Sequence, residues 1–184
     1  MKNNKVKLII LVAALAAVIA LAVIFYPKLA ALVGGGDETE EYPDAEDATP
    51  ITVYTADGEA VDLGEYIGKR PVVVNFWASW CPPCVSELPH FEDVYEKYGD
   101  DVTFMIVNLT DGARETVETA KAFISDKGYT FPVYYDTDNA GSNAYSIYYI
   151  PETLFIRSDG KIIYKHTGAI ERDTLESWIE KIDK

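Results

Sequence analysis

The only two cysteines of the chain stand three residues apart in the sequence WCPPC, residues 80–84. A run of strand-forming residues, PVVVNFWA (71–78), precedes them, and a helical pattern follows from about Pro82 to Tyr98. Cys81 is therefore predicted to lie at a helix N-terminus, where free N–H groups and the helix dipole stabilise a thiolate. The two prolines suit a first helical turn, because its N–H groups have no helical partners to lose.

The spacing places Cys84 one helical turn after Cys81, which brings the two sulfur atoms together. Cys81 would attack a substrate disulfide, and Cys84 would then release the reduced substrate and leave a Cys81–Cys84 disulfide. The reverse path would oxidise a substrate, so the redox potential decides the direction. A purely structural role fits poorly, because a disulfide across so short a loop gives little loop-entropy stabilisation.

The elements that must position this pair lie in residues 51–184, where strand and helix patterns alternate. A buried strand over 71–78 and a second one over 102–109 are predicted to be central. The remaining predictions are two short strands with a type I′ turn at Asp57-Gly58, a helix over 113–128, a strand over 131–136, a short helix over 139–147, a hairpin over 152–168 around Asp159-Gly160, and a closing helix over 171–183. This order predicts an α/β domain with a mixed central sheet flanked by helices.

The N-terminus has the pattern of a membrane anchor. Residues 8–26 form a run of 19 residues without a charge, and as a helix it would be about 28 Å long, close to the thickness of a hydrocarbon core. Three lysines lie in residues 1–7, so the positive-inside rule predicts a cytoplasmic basic stub there and export of the remainder. The run exceeds a signal-peptide core, and the sequence that follows it, YPKLAALVGGG (26–36), has no clear A-x-A cleavage pattern, which favours a retained signal anchor.

Residues 27–50 are glycine-rich and then acidic, which predicts a flexible, extended linker. Four of the 16 basic residues and none of the 30 acidic ones precede Asp37, so the exported part is strongly acidic. Nucleic acids and anionic membrane surfaces require clustered cations, and the composition therefore disfavours both as partners. Outside the cytoplasm, a cysteine pair forms a disulfide readily.

The segments NFWASWCPPCVSELP (75–89), FPVYYD (131–136) and IPET (150–153) resemble membrane-anchored thioredoxin-like proteins of the TlpA/ResA type. The resemblance covers about residues 50–184. It implies a thioredoxin fold with an N-terminal β-hairpin and a central insertion, and it implies thiol–disulfide oxidoreductase activity. We expect no cofactor beyond the cysteine pair.

The resemblance also implies roles for further residues. Pro151 matches a cis-proline beside the cysteines, which exposes a backbone edge for an extended substrate. Glu87 matches a glutamate under the active site, where a partly buried carboxyl with a raised pKa could relay a proton to Cys84. Alternatively, Glu87 stabilises the dipole of the first helical turn. Trp80 is expected to flank the Cys81 sulfur and, with Pro151, to shape the substrate groove.

One departure from thioredoxin itself is the pair of residues between the cysteines. Thioredoxin has Gly-Pro at this place, whereas this chain has Pro82-Pro83. The additional proline removes one backbone donor near the sulfur atoms. We therefore do not expect this chain to have the same redox potential as thioredoxin.

The resemblance favours a reductase of disulfides in exported proteins, with apocytochromes c as candidate substrates. A reductase in an oxidising compartment needs electrons, and a membrane thiol carrier of the CcdA type would supply them. The alternative within the same fold is a dithiol oxidase that forms disulfides in exported proteins.

Two other classes remain as alternatives. A metal-handling or binding module would need more ligands than the two cysteines with His90 and His166 readily provide, and copper-binding relatives usually have CxxxC spacing. We therefore expect no metal site. A peroxiredoxin would carry a Pro-x-x-x-Thr-x-x pattern before its reactive cysteine, and the residues NFWASW before Cys81 lack it.

Overall fold

The computed structural model describes residues 45–182 of the chain. These residues form eight strands, four α-helices and a short 3₁₀ turn at Leu63–Glu65. In chain order the elements are β1 (Glu46–Asp47), β2 (Thr52–Tyr54), β3 (Ala60–Asp62), β4 (Val72–Trp77), α1 (Pro82–Tyr98), β5 (Thr103–Asn108), α2 (Val117–Lys127), β6 (Val133–Tyr135), α3 (Ala140–Ala144), β7 (Glu152–Ile156), β8 (Lys161–Thr167) and α4 (Arg172–Ile182).

The described strands form one mixed sheet in the order β1-β8-β7-β4-β5-β6-β2-β3. Strands β4, β5 and β6 run parallel, while β7 is antiparallel to β4 and β8 is antiparallel to β7. The β2–β3 hairpin extends the sheet beyond β6. This arrangement confirms the predicted mixed sheet and the N-terminal hairpin.

Strand β4 is central, since it lies between β5 and β7 and all six of its residues are buried. A strand buried on both faces requires a continuous apolar run, and VVV at the start of β4 supplies it. Val74 pairs with Met105 on one side and with Leu154 on the other. The strand therefore holds the segment that follows it, including the cysteine pair, on a rigid core.

The C-terminal end of the predicted linker 27–50 belongs to the sheet, which corrects that boundary. Glu46 and Asp47 pair with β8, and the Ala48 N–H donates a hydrogen bond to the Gly160 carbonyl oxygen at 2.9 Å. Ala48 is also buried. The acidic composition favours a flexible segment, but backbone pairing with the open edge of β8 outweighs that preference. The stub 1–7, the predicted span 8–26 and residues 27–44 lie outside the described residues.

Across residues 45–182, no helix combines the length and the apolar composition that crossing a membrane requires.

The turn at Asp57-Gly58 is not type I′, although the predicted hairpin is present. A type I′ turn needs positive φ at both central residues, and here Gly58 alone has it, at +81°. The Gly58 N–H donates to the Thr55 carbonyl oxygen, and Thr55 N–H donates to the Glu59 carbonyl oxygen. This is the three-residue loop with a glycine bulge. The Thr55 hydroxyl also accepts from the N–H groups of Asp57 and Glu59, which favours this form.

Helix α2 begins at Val117, four residues after the predicted start at residue 113. The Asp111 side chain accepts hydrogen bonds from the three N–H groups of residues 113–115, so that segment forms a tight loop instead. Thr116 caps the helix in a capping box with Thr119. Gly128, with φ of +73°, ends the helix as predicted. Helix α2 occupies the place in the chain where the resemblance puts the central insertion.

Candidate active site

Cys81 and Cys84 form a disulfide at the N-terminus of α1, directly after the loop that leaves β4. Cys81 is the N-cap residue, and its sulfur accepts a hydrogen bond from the Cys84 N–H at 3.3 Å. Both cysteines are buried, although Cys81 keeps a small exposed fraction and Cys84 keeps none. Cys81 is thus the sulfur that a substrate can approach.

The position of Cys81 favours a thiolate once the disulfide is reduced. Pro82 and Pro83 have no N–H, so the first turn of α1 directs the Cys84 N–H and the positive end of its dipole towards the N-cap residue. Negative charge on the Cys81 sulfur is stabilised by both, and the hydrogen bond from Cys84 N–H is already in place. These conditions are typical of an attacking cysteine.

The Ile150-Pro151 peptide bond is cis, as the resemblance implied. The Ile150 carbonyl oxygen lies 3.7 Å from the Cys81 sulfur, which brings the start of β7 against the disulfide. Pro151 is buried, and its carbonyl oxygen accepts a hydrogen bond from the Gly168 N–H at 2.8 Å. The loop before Glu152 and the loop after β8 are therefore tied together beside the cysteine pair.

Glu87 is a buried carboxyl on α1, one turn beyond Cys84, with only 1% of its surface exposed. One carboxyl oxygen accepts a hydrogen bond from the Asn75 amide at 2.8 Å, and the other accepts one from the Ile170 N–H at 2.8 Å. Burial raises the pKa of Glu87 to about 7, and the two hydrogen bonds oppose that rise. A carboxyl with this pKa can both hold and release a proton near neutrality.

Asn75 connects Glu87 to the strand that carries the cis-proline. Its amide nitrogen donates to Glu87 and also to the Thr153 hydroxyl at 3.1 Å. Asn75 and Thr153 are directly opposed in the β4–β7 pair. The Asn75 carbonyl oxygen is buried and has no hydrogen-bond partner among residues 45–182, and a turn of the amide would present that oxygen to the O–H of neutral Glu87. The cluster can accommodate either protonation state.

Glu115 is a second buried acid near the cysteine pair, and sequence analysis missed it. Its carboxylate accepts hydrogen bonds from the Ser79 hydroxyl at 2.8 Å and from the Asn108 amide at 3.2 Å. Ser79 lies two residues before Cys81, so Glu115 links the loop before the disulfide to the end of β5. Glu115 falls within the predicted helix over 113–128, and no local signal indicated that its carboxylate would be buried.

Large apolar side chains are exposed beside the cysteines. Among residues 45–182 the exposed large hydrophobic side chains are Trp80, Tyr148 and Tyr149, at 38%, 83% and 75%. Trp80 immediately precedes Cys81, and the tyrosines immediately precede Ile150. Trp77, by contrast, is buried and packs on Phe123 at 5.8 Å between ring centroids. The exposed aromatic side chains therefore lie on the two segments that meet at the Cys81 sulfur.

A paired cysteine at a helix N-terminus, on the central strand of this mixed sheet and beside a cis-proline, is the arrangement used for dithiol–disulfide exchange. These features define a thiol–disulfide oxidoreductase with a thioredoxin-like fold.

Comparison with known proteins agrees with this class. The sequence pattern of the Redoxin family matches residues 39–181. The thiol-disulfide oxidoreductase ResA of Halalkalibacterium halodurans is 34% identical over 138 residues, which cover 74% of this chain and 76% of that protein. The chain belongs to the Redoxin family, and within it to the thioredoxin-like proteins of the TlpA/ResA type.

Solved structures show the same fold. StoA from Bacillus subtilis superposes with a TM-score of 0.62 at 28% identity, covering 71% of this chain and 96% of StoA. A secreted disulfide oxidoreductase of Mycobacterium tuberculosis, homologous to DsbE of E. coli, has a TM-score of 0.60 at 28% identity and covers 70% of this chain and 93% of its own. These solved structures therefore share the thioredoxin-like fold of this chain. The Redoxin match and the ResA relative support its thiol–disulfide oxidoreductase activity.

Proposed function

We propose that this protein is a membrane-tethered, extracytoplasmic reductase of disulfides in exported proteins. The observation that carries the proposal is the Cys81–Cys84 disulfide at the start of α1, with the buried Glu87 carboxyl one turn further along the same helix. The TlpA/ResA resemblance supports the reductive direction. The charge-free run at 8–26 and the preceding lysines support the tether and the export of the domain.

Exchange would proceed in two displacement steps. The Cys81 thiolate attacks one sulfur of the substrate disulfide, so that a mixed disulfide forms and the other substrate sulfur leaves as a thiolate that takes up a proton. The Cys84 thiol loses its proton and attacks the Cys81 sulfur. The second substrate thiolate leaves and is protonated, and the two electrons remain on the substrate while Cys81–Cys84 becomes oxidised.

Glu87 would accept the proton that Cys84 loses. Cys84 has no exposed surface, so bulk water is a poor base for its thiol. The pKa of Glu87, raised to about 7 mainly by burial, is matched to proton transfer at neutral pH. The Asn75 amide orients the carboxyl by its hydrogen bond at 2.8 Å.

The substrates would be disulfides in polypeptides rather than small-molecule disulfides. The exposed Trp80, Tyr148 and Tyr149 around Cys81 offer apolar contact area to an extended chain, and the segment before Pro151 offers a backbone edge. Apocytochromes c awaiting haem attachment are the candidate substrates that the resemblance suggests. A membrane thiol carrier of the CcdA type would regenerate the reduced cysteine pair.

The reduction potential of the Cys81–Cys84 pair tests the direction. We would equilibrate the full-length chain, kept in detergent, with thiol buffers of known potential and follow its tryptophan fluorescence. A reductase should have a value near that of thioredoxin, about −270 mV, whereas a strong oxidant lies near about −120 mV. A value at the oxidising end would contradict the proposal and favour the alternative, a dithiol oxidase.

A further inference from the structure

A charged side chain lies directly on the tryptophan that precedes the reactive cysteine. The Arg114 guanidinium carbon is 3.5 Å from the centre of the Trp80 ring. Both residues are exposed, and Trp80 is bonded to Cys81 in the chain. A guanidinium at this distance over an indole ring gains a cation–π interaction.

The loop that carries Arg114 is held in place by hydrogen bonds within residues 111–115 and to Ser79. The Asp111 carboxylate accepts hydrogen bonds of 2.7–2.9 Å from the N–H groups of residues 113–115. Gly112 N–H donates to the Glu115 carbonyl oxygen at 2.9 Å. The buried Glu115 carboxylate accepts from the Ser79 hydroxyl, one residue before Trp80. The loop is therefore anchored to the same segment on which Arg114 stacks.

The hydrogen-bonding edge of Arg114 is available to a ligand. Arg114 forms no salt bridge with any of residues 45–182. Hydrogen bonds from the backbone N–H groups of residues 113–115, and to a smaller extent the Arg114 charge, lower the pKa of Asp111, whose Oδ1 already accepts all three of these bonds. Stacking uses the face of the guanidinium, whereas carboxylates bind to its edge through two parallel N–H bonds. Both interactions can therefore exist at once.

We propose that Arg114, seated on Trp80, determines specificity by binding an acidic side chain of the substrate polypeptide next to the cysteine that Cys81 attacks. The inference rests on the proposed reductase function and adds a preferred substrate class, acidic segments. The domain is otherwise strongly acidic, so long-range attraction does not select such segments. A cation held on Trp80, the residue before Cys81, does so locally.

The test compares matched peptides with an internal disulfide and Glu, Gln or Lys beside one cysteine. The reduced full-length chain is mixed with each peptide at fixed ionic strength, and the second-order rate constant is measured by tryptophan fluorescence. The wild type should reduce the Glu peptide about fivefold faster than the Gln peptide, as expected for one partly exposed ion pair. Arg114→Gln should abolish this preference, so that the ratio of the rates on the Glu and Gln peptides falls to about one. Arg114→Glu should favour the Lys peptide.

Arg172→Gln is the matched control, since Arg172 is an exposed arginine on α4 that pairs with Asp93 and Glu176. It should keep the wild-type preference. Equal loss of rate on all three peptides, or no preference in the wild type, would overturn the role of Arg114. A folded wild-type chain that reduces no peptide would overturn the proposed function itself.

Discussion

At Glu87, burial and hydrogen bonding act on the same carboxyl group in opposite directions. Removal from water penalises the charged form and is the larger effect, while the hydrogen bonds from Ile170 N–H and the Asn75 amide favour it. The net result is a pKa of about 7 in the folded chain, against an ordinary value of 4.5. Folding therefore changes the proton affinity of this group within the physiological range.

We expect Glu87 to make the oxidised protein less stable as the pH rises. Between about pH 4.5 and 7 the folded chain binds the proton more tightly than the unfolded chain. The contribution of Glu87 to the free energy of unfolding is complete below the pKa that Glu87 has in the unfolded chain. It is lost as the pH rises through the pKa in the folded chain, and the loss is on the order of 3 kcal/mol. Urea unfolding from pH 4 to 8 should show this slope in the wild type and not in Glu87→Gln.

Glu96→Gln makes the same chemical change at an exposed position of the same helix and serves as the control. Its pH profile should follow that of the wild type. If Glu87→Gln also kept the wild-type slope, the raised pKa of Glu87 would be refuted. The oxidised form is used because disulfide-bonded cysteines do not titrate.

Strand β1 is short, but it closes one edge of the sheet. Its two residues pair with β8. On β8, Lys161 forms an ion pair with Asp47 and Lys165 forms one with Glu46. These exposed pairs contribute little to stability. The burial of Ala48 should contribute more, because it removes apolar surface from water, and the backbone hydrogen bond of Ala48 adds to this contribution.

Truncation tests this contribution of β1. A fragment that begins at residue 51 should have a free energy of unfolding roughly 1–2 kcal/mol lower than one that begins at residue 37, because the edge hydrogen bonds and the Ala48 contact are lost. Urea denaturation of the two oxidised fragments measures the difference. A fragment beginning at residue 45 should match the longer one. Equal midpoints for all three would show that β1 does not stabilise the domain.

The N-terminal sequence pattern predicts how the chain is oriented across a membrane. The uncharged run 8–26, with its lysines in residues 1–7, predicts a single span with the N-terminus in the cytoplasm. The catalytic domain would then face an oxidising compartment, where the Cys81–Cys84 pair needs a source of electrons.

Labelling of single cysteines in intact cells tests this orientation. In a chain in which Cys81 and Cys84 are replaced by serine, Ser158→Cys places a thiol at an exposed position of the domain. A membrane-impermeant maleimide should label it without cell lysis. Asn4→Cys, in the predicted cytoplasmic stub, should be labelled only after lysis. The reverse pattern would refute the predicted orientation.

Local sequence was sufficient for the cysteine pair and for the strand and helix that flank it. The apolar run of β4, the N-cap cysteine and two prolines lie within a short stretch, and each acts through short-range backbone preferences. The order of strands and helices along the chain, and the two hairpins, followed from similar patterns. Pro151 and Glu87 came from resemblance, because no local rule indicates a cis bond or a buried carboxyl at those places.

Turn details required side-chain contacts that composition does not reveal. The Thr55 hydroxyl and the Asp111 carboxylate each bond to nearby N–H groups and so select a bulged turn and a late helix start. Asp57-Gly58 and the helical pattern from residue 113 were compatible with either outcome. Competition between side-chain and backbone acceptors decided between them.

The polar groups around the disulfide were decided by tertiary structure alone. Asn75 meets Thr153 across 78 residues of chain, and Ser79 meets Glu115 across 36. Hydrophobic periodicity predicts which residues are buried in one element, but it does not predict which polar groups two distant elements bring together. The sequence therefore determined the reactive pair and the class of fold. The sheet order determined which acids are buried beneath the pair and which cation lies on its tryptophan.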